Sequence, residues 1–234
     1  MTRSELARMF WQDGILVIEN FFDSARMDEI DRLIRRHYGS DPDFWHTSEF
    51  LTEAQTEVIP WFPQNEGESA FDAIDDHPEL HSLTTEILGD GWRSDYCMVM
   101  FSKKGTSGQA WHQDCPSEDP AQHNLNRLVY TTDIIDEVGG HVVVVPGSHK
   151  MGMLPHGDPV GHFPGEVVLK PAKGTLILLH GHTWHRVLPI TGGFRYSTNF
   201  RAAPKSTREG VTDVCVYRNM LYRFSTSSVI EKRV

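Results

Sequence analysis

Apolar and polar positions follow two different rhythms along this chain. In the first third the rhythm is helical. Thr2 and Glu5 stand at capping-box spacing in "TRSELARMFWQDG", and the pattern stops near Gly14. "DSARMDEIDRLIRRHYG" places Met27, Ile30, Leu33, Ile34 and Tyr38 on one helical face, with Gly39 as its stop. "HPELHSLTTEILG" over 77–89 repeats the logic with Leu80, Leu83, Ile87 and Leu88. The apolar run "ILVIENFF" at 15–22 is short and reads as a strand.

The segment 40–76 keeps neither rhythm. It carries several prolines and the aromatics Phe44, Trp45, Phe50, Trp61 and Phe62. A long aperiodic segment in a compact domain is either a lid or binding loop, or a surface excursion that plugs the side of the core. Trp45, Trp61 and Phe62 are its candidate substrate or lid residues. From Tyr96 onward the texture changes to short β-rich runs separated by Gly, Pro, Asn and Asp turn signals: "DYCMVMFSK", "QAWHQD", "NRLVYTTDII", "GGHVVVVPGSH", "GTLILLH", "FRYSTNFRA" and "DVCVYRNMLYRF" among them. Many short strands at this spacing predict a sandwich or barrel and not βαβ units. The expected organisation is one domain over 1–234, mostly helical over 1–92 and mainly β over 93–234.

Composition narrows the function. The chain has 234 residues, 39% of them hydrophobic and 23% charged, which suits a globular core. A net charge of -10 argues against nucleic acid as partner, because phosphate binding needs a basic face. The three cysteines, Cys97, Cys115 and Cys215, form neither a disulfide framework nor a zinc ribbon. The N-terminus is too polar for a signal peptide, and no run approaches the ~20 apolar residues of a membrane span. A cytoplasmic location is the expectation. Nothing in the sequence fixes an oligomeric state.

The candidate chemistry starts at "AWHQDCP". On a strand, residues i and i+2 share a face, so His112 and Asp114 project together while Gln113 points away. An imidazole and a carboxylate on one face are two legs of a 2-His-1-carboxylate triad, or simply a hydrogen-bonded polar pair. "GTLILLHGHTWHRVLP" supplies His180, His182 and His185, any of which could be the third leg. Beyond them Arg195 and Ser197 again share a strand face, a natural clamp for a carboxylate. Asn126 and Tyr130 also share a face, and Met98 or Met100 could line the same pocket.

Taken together, "WHQD" (111–114), "GGHVVVVPGSHKMG" (139–152) and "GTLILLHGHTWHRVLPITGGFR" (174–195) resemble the phytanoyl-CoA hydroxylase-like family of Fe(II)/2-oxoglutarate-dependent dioxygenases. The resemblance covers Tyr96 to Pro204 well and the helical portion more loosely. It implies a double-stranded β-helix (a jelly roll) with helices outside. It implies His112, Asp114 and His185 as iron ligands, with His180 the competitor for the third place. Arg195 matches the residue that binds the far carboxylate of 2-oxoglutarate, with Ser197, Asn126, Tyr130, Gln113 and Met98 as further co-substrate contacts. The distal segment departs from the family pattern: Ile190 stands where an asparagine is common, and the loop to Arg195 is one residue short.

The implied activity is oxidation of a substrate C–H bond with Fe(II), 2-oxoglutarate and O2, releasing succinate and CO2. Asp114 argues for hydroxylation over halogenation, because related halogenases have a small residue in its place. The substrate is expected to be a small molecule such as a secondary metabolite; the acidic residues Asp41, Asp43, Glu49 and Glu53 beside an aromatic lid would suit a neutral or cationic one. Loop 150–166 is a second candidate wall. The rival readings are another metal-dependent jelly-roll enzyme, a hydrolase or isomerase, and a non-catalytic jelly roll that binds a small molecule.

Overall fold

The computed structural model describes residues 1–40, 42 and 46–223. The helical rhythm of the first third forms α1 (Arg3–Asp13), α2 (Ser24–Tyr38) and, after the irregular segment, α5 (Pro78–Leu88), with β1 (Ile15–Ile18) between the first two. The capping box is present: the Thr2 side chain accepts from the Glu5 amide, and the Glu5 carboxylate accepts from the Thr2 amide at 2.7 Å. Gly14 ends α1 in the left-handed region. The aperiodic 40–76 segment contains α3 (Ser48–Glu53), β2 (Ile59–Trp61) and α4 (Asp72–Asp75). These are too short to impose a period that a sequence window can register.

The β-rich remainder forms β3 (Arg93–Lys103), β4 (Gln109–Gln113), β5 (Leu125–Val129), β6 (Val142–Val144), β7 (Val167–Val168), β8 (Leu176–His180), β9 (His185–Val187), β10 (Phe194–Ala203), β11 (Val214–Tyr217) and β12 (Leu221–Arg223). They make two antiparallel sheets, in the orders β1-β8-β5-β10-β3-β2 and β12-β11-β4-β9-β6-β7. This is the jelly roll, mainly β with flanking helices.

Strand alternation divides the larger sheet into two faces. Cys97, Val99, Phe101, Leu125, Val129, Leu176, Leu178, Tyr196 and Phe200 pack against Phe10, Met27, Ile30, Ile34, Leu80 and Leu83 of the helices. The other face looks toward the smaller sheet and carries Met98, Met100, Asn126, Leu128, Leu179, Arg195, Ser197, Asn199 and Arg201. The helices thus seal one face largely with apolar side chains, while Asn126 of β5 and Arg195, Ser197, Asn199 and Arg201 of β10 point inward. No described helix is long and apolar enough to cross a membrane.

Candidate active site

The register of the smaller sheet assembles the centre. His112 on β4 pairs with His185 on β9 on one side and with Tyr217 on β11 on the other. The two imidazole centroids lie 4.1 Å apart. Asp114 follows the end of β4, where its amide donates to the Gly181 carbonyl at 2.8 Å. Its carboxylate lies 3.9 Å from His112 Nε2 and 3.6 Å from His185 Nε2. One ligand atom from each of the three residues falls within 4.8 Å of the others, and all three side chains are buried.

Each histidine is oriented by a carbonyl. His112 Nδ1 meets the Ala110 oxygen at 2.8 Å, and His185 Nδ1 meets the Thr183 oxygen at 2.9 Å. A carbonyl can only accept, so Nδ1 carries the proton in both rings and each Nε2 offers its lone pair to the centre. Burial, and then the neighbouring His185, push the His112 pKa down to about 3. Burial alone would raise the Asp114 pKa; the adjacent Arg201, with the two imidazoles, instead holds it at about 2. The centre thus presents the Nε2 edges of two imidazoles and one carboxylate.

These residues line a cavity with about 840 Å³ of empty space, its open mouth included. At one side stand Arg195 and Ser197. Both are buried, and Arg195 Nε and Ser197 Oγ have no hydrogen-bond partner. The group beside the guanidinium is the Tyr130 hydroxyl, which itself lacks a bond of standard geometry. Burial lowers the Arg195 pKa, and among the described residues no carboxylate pairs with its guanidinium. Gly140 makes room for it: a Cβ there would meet Arg195 Cγ at 2.9 Å. The cavity is also walled by His46, Phe50, Thr56, Val58 and Pro60, and by Cys215, Tyr217 and Tyr222 from the β11–β12 pair.

Other sequence expectations resolve differently. Met98 and Met100 both line the cavity. Asn126 lines it too, but its amide is committed to Asp114 at 2.6 Å, and its oxygen accepts from Asn199 and Arg201. Gln113 faces away, as the strand period requires, and bonds the Gly152 and His182 carbonyls and the Leu154 amide. It anchors loop 150–166 to the outer side of β4, where Leu154 and Phe163 pack with Trp111 and Trp184, so that loop does not wall the cavity. Trp61 stacks on His37, with centroids 4.0 Å apart, and belongs to the helix-side core, while Phe62 packs on Tyr96. Neither lines the cavity; Phe50 is the aromatic of that segment that reaches it. Trp45 lies outside the described residues.

His180 is not part of the centre. Its Nδ1 accepts from the His182 amide, and its ring sits against Phe10, Trp11 and His123. Arg201, which the motifs alone did not single out, also lines the cavity and pairs with Asp114 at 3.1 Å. Its position two alternations beyond Ser197 on β10 is the signal that finds it.

The family model for phytanoyl-CoA dioxygenase matches residues 10–196. No curated protein matches the sequence significantly. Among solved structures, the chain is similar to SnoN, a non-heme alpha-ketoglutarate-dependent epimerase from nogalamycin biosynthesis, with a TM-score of 0.69 and 20% identity over 92% of this chain and 85% of that one. HygX from Streptomyces hygroscopicus, solved with nickel and 2-oxoglutarate bound, gives a TM-score of 0.67 and 19% identity over 88% of each chain. SnoK, a carbocyclase from nogalamycin biosynthesis, gives 0.65 and 14% identity over 94% of this chain and 85% of its own. At these identities the likeness establishes a shared fold.

Proposed function

This chain belongs to the phytanoyl-CoA dioxygenase family, and we propose that it is an Fe(II)- and 2-oxoglutarate-dependent oxygenase that hydroxylates a C–H bond of a small-molecule substrate. The observation that carries the reading is a single cavity with two complementary poles: a His112–Asp114–His185 donor set, and the unpartnered Arg195 Nε and Ser197 Oγ. Two neutral nitrogens and one carboxylate oxygen suit a ferrous ion and leave positions open. A buried arginine with no counter-charge suits the far carboxylate of a dicarboxylate. The residues present therefore fit both groups.

When bound, iron with 2-oxoglutarate and O2 supplies the oxidising chemistry, in which RH, O2 and 2-oxoglutarate give ROH, succinate and CO2. The chain's own part is placement. His112 and His185 are held in one tautomer by their carbonyls and need no rearrangement to ligate. Arg195 and Ser197 fix the far end of the co-substrate and so set where its reacting end lies. Phe50, Val58, Tyr217 and Tyr222 offer apolar and aromatic surface that excludes water and holds the substrate against the centre. Epimerisation and ring formation are the activities named for SnoN and SnoK, and product analysis separates them from hydroxylation.

The test is succinate formation from 2-oxoglutarate with Fe(II) and O2, with wild type compared with His112→Ala and Asp114→Ala. Wild type is expected to release succinate, and both variants to lose it. Hydrolysis of a substrate by the zinc-loaded protein, with no dependence on 2-oxoglutarate, would instead make it a metal hydrolase.

A further inference from the structure

Asp114 is held from two sides by groups that the proposed chemistry leaves unassigned. Arg201 Nη2 lies 3.1 Å from its Oδ1, and Asn126 Nδ2 donates to its Oδ2 at 2.6 Å. The two holders are tied to each other, because Arg201 Nε donates to Asn126 Oδ1 at 3.0 Å. Arg201 Nη1 donates to the Thr212 carbonyl at 2.8 Å, and the guanidinium carbon lies 5.3 Å from the Tyr96 ring centroid. Arg201 is 2% exposed, yet it lines the same cavity as the metal-site candidates. A side chain bonded at three nitrogens and stacked on a ring has no freedom to swing away. A fixed cation therefore stands against Oδ1 of the carboxylate, next to the Asn126 amide that holds Oδ2.

A buried carboxylate without a counter-charge is strongly unfavourable. In a loaded metal site the ion supplies that charge; here the chain supplies it as well. We infer that Arg201 is a resident counter-ion for Asp114: it keeps the ligand carboxylate balanced and in place before a metal arrives, and then competes with the metal for the same negative charge. The inference rests on reading Asp114 as a metal ligand. It makes Arg201 a positioning residue, with Asn126 as the bridge that sets its distance from the carboxylate. The consequence depends on the state of the site. Removing the arginine's charge strips the metal-free protein of its only near cation at Asp114 among the described residues, while the loaded protein still has the ion. A salt bridge that merely tied β10 to the end of β4 would cost both states equally.

The experiment uses Co(II) as the probe, followed by its visible absorption, with thermal unfolding of the metal-free and Co(II)-saturated protein. For Arg201→Gln, the metal-free Tm is expected to fall by at least about 5 °C, the Co(II)-saturated Tm by less than half of that, and Co(II) to bind about tenfold tighter. Arg201→Lys keeps a cation and should stay near wild type. Asp114→Asn combined with Arg201→Gln removes both charges and should regain metal-free Tm, which keeps the test decisive if the single variant fails to fold. Equal Tm losses in both states with unchanged Co(II) affinity, or no recovery in the double variant, would overturn the counter-ion. A wild-type protein that binds no Co(II) would instead overturn the ligand reading beneath it.

Discussion

A residue's chemistry at this site is set by the bond behind it as much as by the atom it presents. His185 and His180 come from the same histidine-rich stretch, and sequence spacing leaves both as candidates. The difference is what holds Nδ1. The Thr183 carbonyl fixes His185 with Nε2 toward Asp114, whereas His180 spends Nδ1 on the His182 amide and turns its ring to α1. His185→Ala should therefore abolish Co(II) or Fe(II) binding in a titration, and His180→Ala should leave the affinity within about threefold while lowering Tm, since it removes a ring packed on the helix and not a ligand. At the other pole, Arg195→Ala removes the balancing charge for a dicarboxylate. Charge-assisted hydrogen bonds of this kind are worth ~1.5–3 kcal/mol, so the 2-oxoglutarate requirement should rise about 10–100-fold with metal affinity unchanged. Steady-state turnover against co-substrate concentration measures the first, and metal titration the second.

At the scale of elements, the sequence was legible wherever a period runs long enough to be sampled. The helices α1, α2 and α5 carry caps and stripes, and β3, β5, β8 and β10 carry alternation. That alternation placed His112 with Asp114, and Arg195 with Ser197. Continued by two steps, it also places Asn199 and Arg201 on the cavity face of β10. It could not assign partners across strands. Asn126 has the right face for a co-substrate contact, but whether its amide meets a ligand or Asp114 depends on how the sheet of β5 faces the sheet of β4, which is a long-range contact. Likewise the aromatics at 61–62 sit in strand and turn pieces too short for a pattern, so nothing local told that Phe50 would face inward and Trp61 outward. The β8–β9 connection shows how tightly such contacts bind an element to the site. Gly181 donates to the Asn124 carbonyl and accepts from the Asp114 amide, and a Cβ there would collide with the Asn124 side chain and meet Cys115 Sγ at 2.8 Å. Gly181→Ala should lower Tm by about 4–8 °C, from ~2 kcal/mol of overpacking at 2–4 °C per kcal/mol, and should weaken metal binding by displacing Asp114. Gly165→Ala is the control: its φ is +75° but nothing lies within 4 Å, so only backbone strain of ~1 kcal/mol is incurred and metal affinity stays put.

Across the whole molecule, the histidines that do not serve the metal site have a collective effect on stability. His123, His149 and the His180–His182 pair come from three separate segments and gather where α1 docks on the end of the larger sheet. His180 lies 4.6 Å from His123, 5.1 Å from His149 and 4.9 Å from His182, measured between ring centroids. Burial, reinforced by the neighbouring imidazoles, lowers the pKa of His180 far below its ordinary value and that of His123 to about 4. Burial likewise lowers His149 and His182. The folded protein therefore keeps these rings neutral at a pH where the unfolded chain, with imidazoles near ~6.5, already binds protons. Between those limits the unfolded state holds more protons, so unfolding becomes easier as pH falls. The contribution is complete above about pH 6.5 and is lost as the pH drops toward 4. Asp114 acts in a lower window, because its depressed pKa of about 2 against an ordinary 3.8 makes its contribution fade only below pH 4. Calorimetric Tm should thus be level near neutrality and decline from about pH 6.5 downward, well before carboxylates titrate. In His180→Phe, which retains ring volume against Phe10 and Trp11 without a proton site, the decline between pH 6.5 and 4 should be shallower than in wild type, with the fall below pH 4 unaltered. An identical slope in the two proteins would remove the cluster as its source and leave His112, the buried histidine of the candidate metal site, to account for it.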